Sequence, residues 1–254
     1  MKPLIVANWK MHFAPAKAKE VVLEILKLSE REKIDLQKVE IVLAPSFTAL
    51  NEVAQALKDT TVKLGAQNCF WEEKGAFTGE ISPSELQEIG VKYVIVGHSE
   101  RRENLGETDE MIHKKIKTVL NLELVPILCV GETFEERQKG IKDYRLMAQA
   151  TQAFEGLQIK PQDKIVIAYE PVWVIGSGQA VAKEEAQYTI EVLKQRMIDL
   201  FGVSLVKETT TFIYGGSVDE SNIRDFVAFP SSGVLVGGAS LKAERFVKLI
   251  KKIL

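Results

Sequence analysis

Short apolar, β-branched runs recur along the chain at residues 4–7, 39–44, 62–66, 93–96, 124–130, 165–169, 211–214 and 234–236. Most are continuous rather than alternating, the pattern of a strand covered on both faces. Between most of them the apolar positions switch to helical spacing, as at 15–32, 47–57, 109–122, 183–200 and 241–254. Strand–helix alternation implies parallel strands joined by right-handed crossovers. Eight strands in 254 residues give about 32 residues per unit, close to what a βαβ unit needs. A closed (β/α)8 barrel buries eight parallel strands without leaving an edge. An open doubly wound sheet would want a GxGxxG turn after the first strand, and that turn here is Asn8-Trp9-Lys10-Met11. No Pro/Gly/Ser-rich linker or charge block divides the chain. The expectation is one α/β domain over residues 1–254, a single (β/α)8 barrel.

Composition narrows the partners. The chain is 46% hydrophobic and 27% charged, with a net charge of -2 and interspersed signs. That balance argues against a nucleic-acid or polyanion binder. No apolar run approaches the roughly 20 residues of a membrane span. The opening MKPLIVANWKMH has too short an apolar stretch for a signal peptide. Cys69 and Cys129 lie far apart with no CxxC or His–Cys spacing. They read as free thiols in a reducing, cytoplasmic compartment, with no structural zinc.

Unusual polar residues follow the strand ends. Asn8 and Lys10 follow the first run, His98 and Glu100 the fourth, and Glu170 the sixth. Gly215-Gly216-Ser217 follows the seventh and Gly237-Gly238 the eighth. In a barrel all of these open onto one face, the C-terminal end of the strands, where active sites of this fold sit. After Glu170, Pro171 cannot join a sheet ladder. Val172, Trp173, Val174 and Ile175 then lead to Gly176, Ser177 and Gly178, with Gln179, Ala180 and Val181 beyond. An apolar loop with a glycine tip reads as a candidate lid over residues 171–181. A strand-end ion pair beside a loop that merely packs would explain this stretch alone; its register with the other strand ends makes Glu170 a catalytic candidate.

Glycines let backbone N–H groups approach an anion closely. Tight turns would explain either glycine pair, but both fall in the adjacent loops that commonly bind phosphate in this fold. Neither loop carries an Arg or Lys cluster, which points to one phosphate held mainly by backbone donors. His98 precedes what looks like a short helix beginning Ser99-Glu100-Arg101-Arg102, so its imidazole is expected to stay neutral and donate a hydrogen bond. Ser99 and Glu100 are supporting residues. Lys10 supplies a cation for an anion-accepting mouth, a role compatible with an ion pair to Glu100. Trp9 points the other way by strand alternation and should pack. His12 neighbours the site, and His113 falls on what should be an exposed helix face.

A carboxylate, a neutral imidazole, an ammonium, a phosphate cradle and a lid fit proton abstraction next to a carbonyl. Glu170 would take the carbon-bound proton, and His98 and Lys10 would stabilise the enediolate oxygen. Returning the proton to the neighbouring carbon converts an aldose to a ketose without a cofactor or metal. A retaining glycosidase would need two carboxylates about 5–5.5 Å apart; Glu100 and Glu170 are candidates, but the phosphate cradle would then have no purpose. A Schiff-base aldolase using Lys10 on a sugar phosphate and a non-catalytic barrel scaffold are the other readings.

The chain resembles the triosephosphate isomerase family from end to end. The motifs are ANWK (7–10), GAFTGE (75–80), ISP (81–83), VGHSERR (96–102), GET (131–133), AYEPVWVIGSG (168–178), YGGSV (214–218) and VGGASL (236–241). The resemblance implies Glu170 as base, neutral His98 as electrophile, and Lys10 and Asn8 as substrate-binding residues. Gly176, Ser217, Gly237 and Gly238 match the family's phosphate-binding positions. It also implies interconversion of D-glyceraldehyde 3-phosphate and dihydroxyacetone phosphate, in glycolysis and gluconeogenesis. The family is usually a homodimer whose third βα loop enters the partner's site, and Thr78, with Phe77 beside it, is the matching tip here. The lid departs from the family pattern: Val174 stands where Ala is usual, Ser177 where Thr is usual, and Gln179 where Lys or Arg is frequent.

Overall fold

A computed structural model describes residues 2–175, 180–227 and 230–254. Eight strands form one closed parallel barrel in sequence order. They are β1 (Leu4–Asn8), β2 (Glu40–Ala44), β3 (Lys63–Ala66), β4 (Val91–Val96), β5 (Val125–Val130), β6 (Ile165–Tyr169), β7 (Thr210–Tyr214) and β8 (Gly233–Val236). Ile5 of β1 sits opposite Ile41 of β2 on one side and Val234 of β8 on the other, which closes the ring.

The period of two along each strand sorts its residues between two cores. Val6, Val42, Ala44, Ile127, Cys129, Val166, Ala168, Ile213 and Leu235 fill the barrel interior. The residues between them, such as Ile5, Ile41, Leu43, Leu128 and Ile167, pack outward against the helices. Both faces are buried, which is why the strands read as unbroken apolar runs. Each such aliphatic side chain contributes about 1.5–3 kcal/mol when fully buried. The first helix, Pro15–Arg31, starts on a proline, whose missing N–H costs nothing there, and buries Ala18, Val21, Val22, Ile25 and Leu28.

Some sequence expectations need adjusting. The 47–57 segment is a 3-10 turn, Phe47–Ala49, running into the helix Leu50–Ala56. A further helix, Lys142–Phe154, lies between β5 and β6 and buries Leu146, Gln149, Ala150, Ala153 and Phe154. His113 is half-buried rather than fully on an exposed face, with an unpartnered Nδ1.

One step beyond the interior core, in the same inward register, lies the layer that makes the cavity. Asn8 follows Val6, Gln67 follows Gly65, and Glu170 follows Ala168. Gly97 follows Ile95, Gly131 follows Cys129, Gly215 follows Ile213, and Gly237 follows Leu235. Three strands therefore send amide or carboxylate side chains into this layer, and four send none. A Cβ on Gly131 would lie 1.7 Å from the Glu170 carbonyl oxygen, and one on Gly215 would lie 2.8 Å from Glu170 Cγ. Gly215 leaves room for the Glu170 side chain and Gly131 for its backbone.

Candidate active site

A cavity of about 310 Å³ opens at the C-terminal end of the barrel, lined by Asn8, Lys10, His98, Glu170, Ser217, Gly237 and Gly238 among others. The strand ends thus bring together every described residue that the sequence singled out for binding or chemistry.

Glu170 is 1% exposed. Its backbone is fixed by ladder bonds that overrun the strand: its N–H donates to Val130 O at 2.7 Å, and Gly215 N–H donates to Tyr169 O at 2.7 Å. The Ser99 N–H, at the start of the helix Ser99–Leu105, donates to Oε2 at 3.1 Å. A helix N-terminus favours a carboxylate. The other oxygen, Oε1, is buried with no hydrogen-bond partner among the described residues. His98 Nε2 stands 3.2 Å from it without completing a hydrogen bond. A buried carboxylate oxygen left unpaired is costly, and this one faces the cavity.

Gly97, at φ 73°, turns the chain so that His98 becomes the cap of the helix rather than an outward strand residue. Its Nδ1 accepts the Glu100 N–H at 3.2 Å. A ring nitrogen that accepts carries no hydrogen, which assigns the ring proton to Nε2, the side facing Glu170. The Glu100 carboxylate lies 3.7 Å from Nδ1 but is engaged by Lys10 Nζ at 2.5 Å. Lys10 also donates its N–H to Asn8 Oδ1 at 3.1 Å. Trp9 is fully buried, edge-on to Phe13, as strand alternation requires.

Ser217, Gly237 and Gly238 line the same cavity, and a Cβ on Gly237 would lie 3.6 Å from Lys10 Cε. A Cβ on Gly238 would meet none of the described residues within 4 Å. Arg245, from the last helix, lines the same cavity and pairs with Glu220 at 3.2 Å. The sequence reading did not single it out. Beneath Glu170, burial first and the neighbouring carboxylate second push the Cys129 thiol well above its usual range. Burial likewise pushes Cys69 up to about 12, and both cysteines are free.

The candidate lid begins on buried Pro171 and a 3-10 turn, Val172–Val174. Val174 is buried in the outer core, whereas Ile175 lines the cavity. Trp173 donates its indole N–H to Glu132 Oε1 at 2.9 Å, and Tyr169 donates its hydroxyl to the same oxygen at 3.2 Å. The Arg137 guanidinium stacks 4.6 Å from the Trp173 ring. Burial raises the Glu132 carboxyl, offset in part by the Trp173 hydrogen bond. At the far end Ala180 is exposed, and Val181 N–H donates to the Tyr214 hydroxyl oxygen at 3.4 Å. Gly176, Ser177, Gly178 and Gln179 lie outside the described residues.

Besides Arg245, the sequence left two further residues unmarked, Gln67 and Glu132. Gln67 Nε2 donates to Lys10 O at 2.8 Å and to Ala44 O at 2.9 Å. They follow β3 and β5, so the strand-end regularity already noted for five strands, extended to these two, is the signal that finds them.

Residues 72–80 are all exposed, with the Phe77 ring tilted against Phe70, centroids 4.6 Å apart. A second groove of about 840 Å³ runs beside the site, lined by Met11, His12, Phe13, Phe47 and Leu105 together with Lys10 and His98. No helix among the described residues is long and apolar enough to cross a membrane.

The triosephosphate isomerase family model matches residues 3–253. The chain is 45% identical over 250 residues to a triosephosphate isomerase of Caldanaerobacter subterraneus subsp. tengcongensis, covering 98% of each chain. It is 43% identical to that of Carboxydothermus hydrogenoformans and 42% identical to that of Clostridium perfringens, again over 98% of each chain.

Proposed function

The chain belongs to the triosephosphate isomerase family, and we propose that it interconverts D-glyceraldehyde 3-phosphate and dihydroxyacetone phosphate through an enediolate. As a member of that family it is an isomerase. The observation that carries the finer reading is the unpartnered Glu170 Oε1 beside the Nε2–H of His98, in a cavity that also receives Lys10. A base must keep a lone pair free, and this oxygen has one.

In this reading the substrate phosphate rests against Ser217, Gly237 and Gly238, with Gly176 as a further donor, and Asn8 holds the carbon chain. Glu170 takes the proton from the carbon next to the carbonyl, and the bonding pair becomes the enediolate double bond. The carbonyl oxygen takes the charge, met by His98 Nε2–H and the Lys10 ammonium. His98 gives its Nε2 proton to the first oxygen and takes the hydroxyl proton of the second, and Glu170 returns its proton to the former carbonyl carbon, which leaves the carbonyl on the second carbon. Neither a cofactor nor a metal enters this scheme. The reaction would serve glycolysis and gluconeogenesis in the cytoplasm. For an aldolase, the Lys10 amine would have to leave Glu100, to which it donates at 2.5 Å, and reach the carbonyl carbon.

The lid, residues 171–181, would exclude water from the enediolate, whose phosphate is otherwise readily expelled. Deleting residues 175–178 should raise phosphate release per isomerisation, and an unchanged ratio would remove the lid from this role. The exposed 75–80 loop with Thr78 and Phe77, and the apolar groove holding Met11, support a homodimer in which each loop fills the partner's groove. A shortened loop that leaves the mass in solution unchanged would count against it. The decisive assay supplies glyceraldehyde 3-phosphate to the purified protein and follows dihydroxyacetone phosphate through a coupled reductase. No turnover, or turnover unaffected by Glu170→Gln, would sink the reading.

A further inference from the structure

Four non-glycine residues among those described have left-handed backbone: Lys10 (φ 48°), Lys33 (φ 53°), Asp59 (φ 63°) and Glu123 (φ 57°). Lys33, Asp59 and Glu123 lie just beyond the ends of the helices Pro15–Arg31, Leu50–Ala56 and Asp109–Asn121, where that conformation is common. Lys10 follows a strand. A left-handed lysine there is strained and persists only if its surroundings over-determine it.

The constraints are on three sides. The Lys10 N–H donates to Asn8 Oδ1 and its Nζ donates to Glu100. The Lys10 carbonyl accepts from Gln67 Nε2 at 2.8 Å. The second hydrogen of that same nitrogen goes to Ala44 O at 2.9 Å, the carbonyl that also accepts the Trp9 N–H at 3.1 Å. Two carbonyl acceptors also settle which way the amide points, because its oxygen would be repelled by both. One side chain from the end of β3 therefore ties the turn after β1 to the end of β2. The Glu100 pair is half-exposed and of the weak class, so it cannot hold the turn by itself.

We propose that Gln67 is a positioning residue for the isomerisation: by pinning the Lys10 carbonyl to the end of β2, it maintains the left-handed turn that aims the ammonium into the cavity. The inference rests on the reading of Lys10 as the cation of the site. Without the two amide hydrogens the turn relaxes to negative φ, and the four-carbon stem leaves in another direction. Misplacement of about 1 Å at a reacting geometry costs up to ~10²-fold.

The test is a double-mutant cycle on kcat/KM, with thermal melting of each variant as the folding control. Gln67→Met keeps the length and removes both donors. It should lower kcat/KM by roughly 10- to 100-fold. In the Lys10→Ala background the same change should cost less than about twofold, because the group it acts through is gone. A structural role would instead reproduce its full cost there. Should Gln67→Met fail to fold, Gln67→Asn, one methylene too short to reach both carbonyls, takes its place in the cycle. Lys10→Ala with wild-type kcat/KM would overturn the reading of the site itself. An impaired Lys10→Ala alongside a near-normal or fully additive Gln67 variant would overturn this inference alone.

Discussion

At the N-terminal mouth of the barrel, buried Tyr93 donates its hydroxyl to Glu40 at 2.5 Å. Lys92 and Lys164 donate to the carbonyls of Glu123 and Glu208 at 2.8 and 2.7 Å. At the C-terminal mouth, formed by the other ends of the same strands, Glu170 keeps one oxygen with no partner among the described residues. A cavity lined by Leu4, Tyr93, Val125 and Val166 lies at the first mouth too, whereas at the second Gly215 and Gly237 leave space beside Glu170 and Lys10. The contrast separates residues kept for the fold from residues kept for a ligand. The polar groups named at the first mouth are paired with each other, whereas Glu170 leaves one oxygen waiting at a cost in stability.

The contrast breaks first at Glu170. Glu170→Gln should lower kcat by at least the ~10²–10⁴ typical of a lost general base. Because it removes a buried and half-paired charge, its melting temperature should equal or exceed that of the wild type; a clear loss would place Glu170 with the structural groups. Gly238→Ala comes next. A Cβ there meets none of the described residues in the free protein, so stability should hold. If the substrate phosphate occupies that space, KM should rise roughly tenfold or more, as for one lost charge-assisted hydrogen bond, with kcat little changed. An unaltered KM would move the phosphate elsewhere. Tyr93→Phe is the converse at the other mouth: about 1 kcal/mol of stability lost, a fall of about 2–4 °C in Tm, and kcat/KM unchanged. Reduced turnover in that variant would blur the division.

Glu132 tests an intermediate case, since it too has an unpartnered oxygen but accepts from Tyr169 and Trp173. Burial raises its carboxyl in the folded state. The unfolded chain therefore ionises it first, at about pH 4.3. Stability is highest below that value and declines as pH rises towards the raised folded value, after which it is constant. The difference between wild type and Glu132→Gln in denaturant midpoint should shift in the variant's favour across that window. A difference flat with pH would mean that the carboxyl is not raised.

The barrel was legible because both strand faces are buried, so the eight runs stood out without competing alternation. Glu170 was legible because a charge ended an apolar run just before a proline. Gln67 was harder. It acts on the backbone of Lys10 and Ala44, and main-chain carbonyls leave no residue signature to pair it with. Arg245 lies on the helix Ala243–Ile253, whose periodic reading places a charge on a solvated face; only the closing of β8 against β1 brings that helix to the cavity rim. The helix at Lys142–Phe154 is as amphipathic as Pro15–Arg31, so its period was present in the sequence.

Ring closure also orders events in time. β1 supplies Asn8 and Lys10, while the cradle needs Gly237 and Gly238 beyond β8, and these strands pair only with the two ends of the chain joined. Such pairings pay their loop-closure entropy late and slow the search for the native state. A nascent chain lacking its last strand holds the base and the imidazole but only half of the phosphate cradle. Substrate can therefore bind only the closed ring, and each bound molecule shifts the folding equilibrium towards it by mass action.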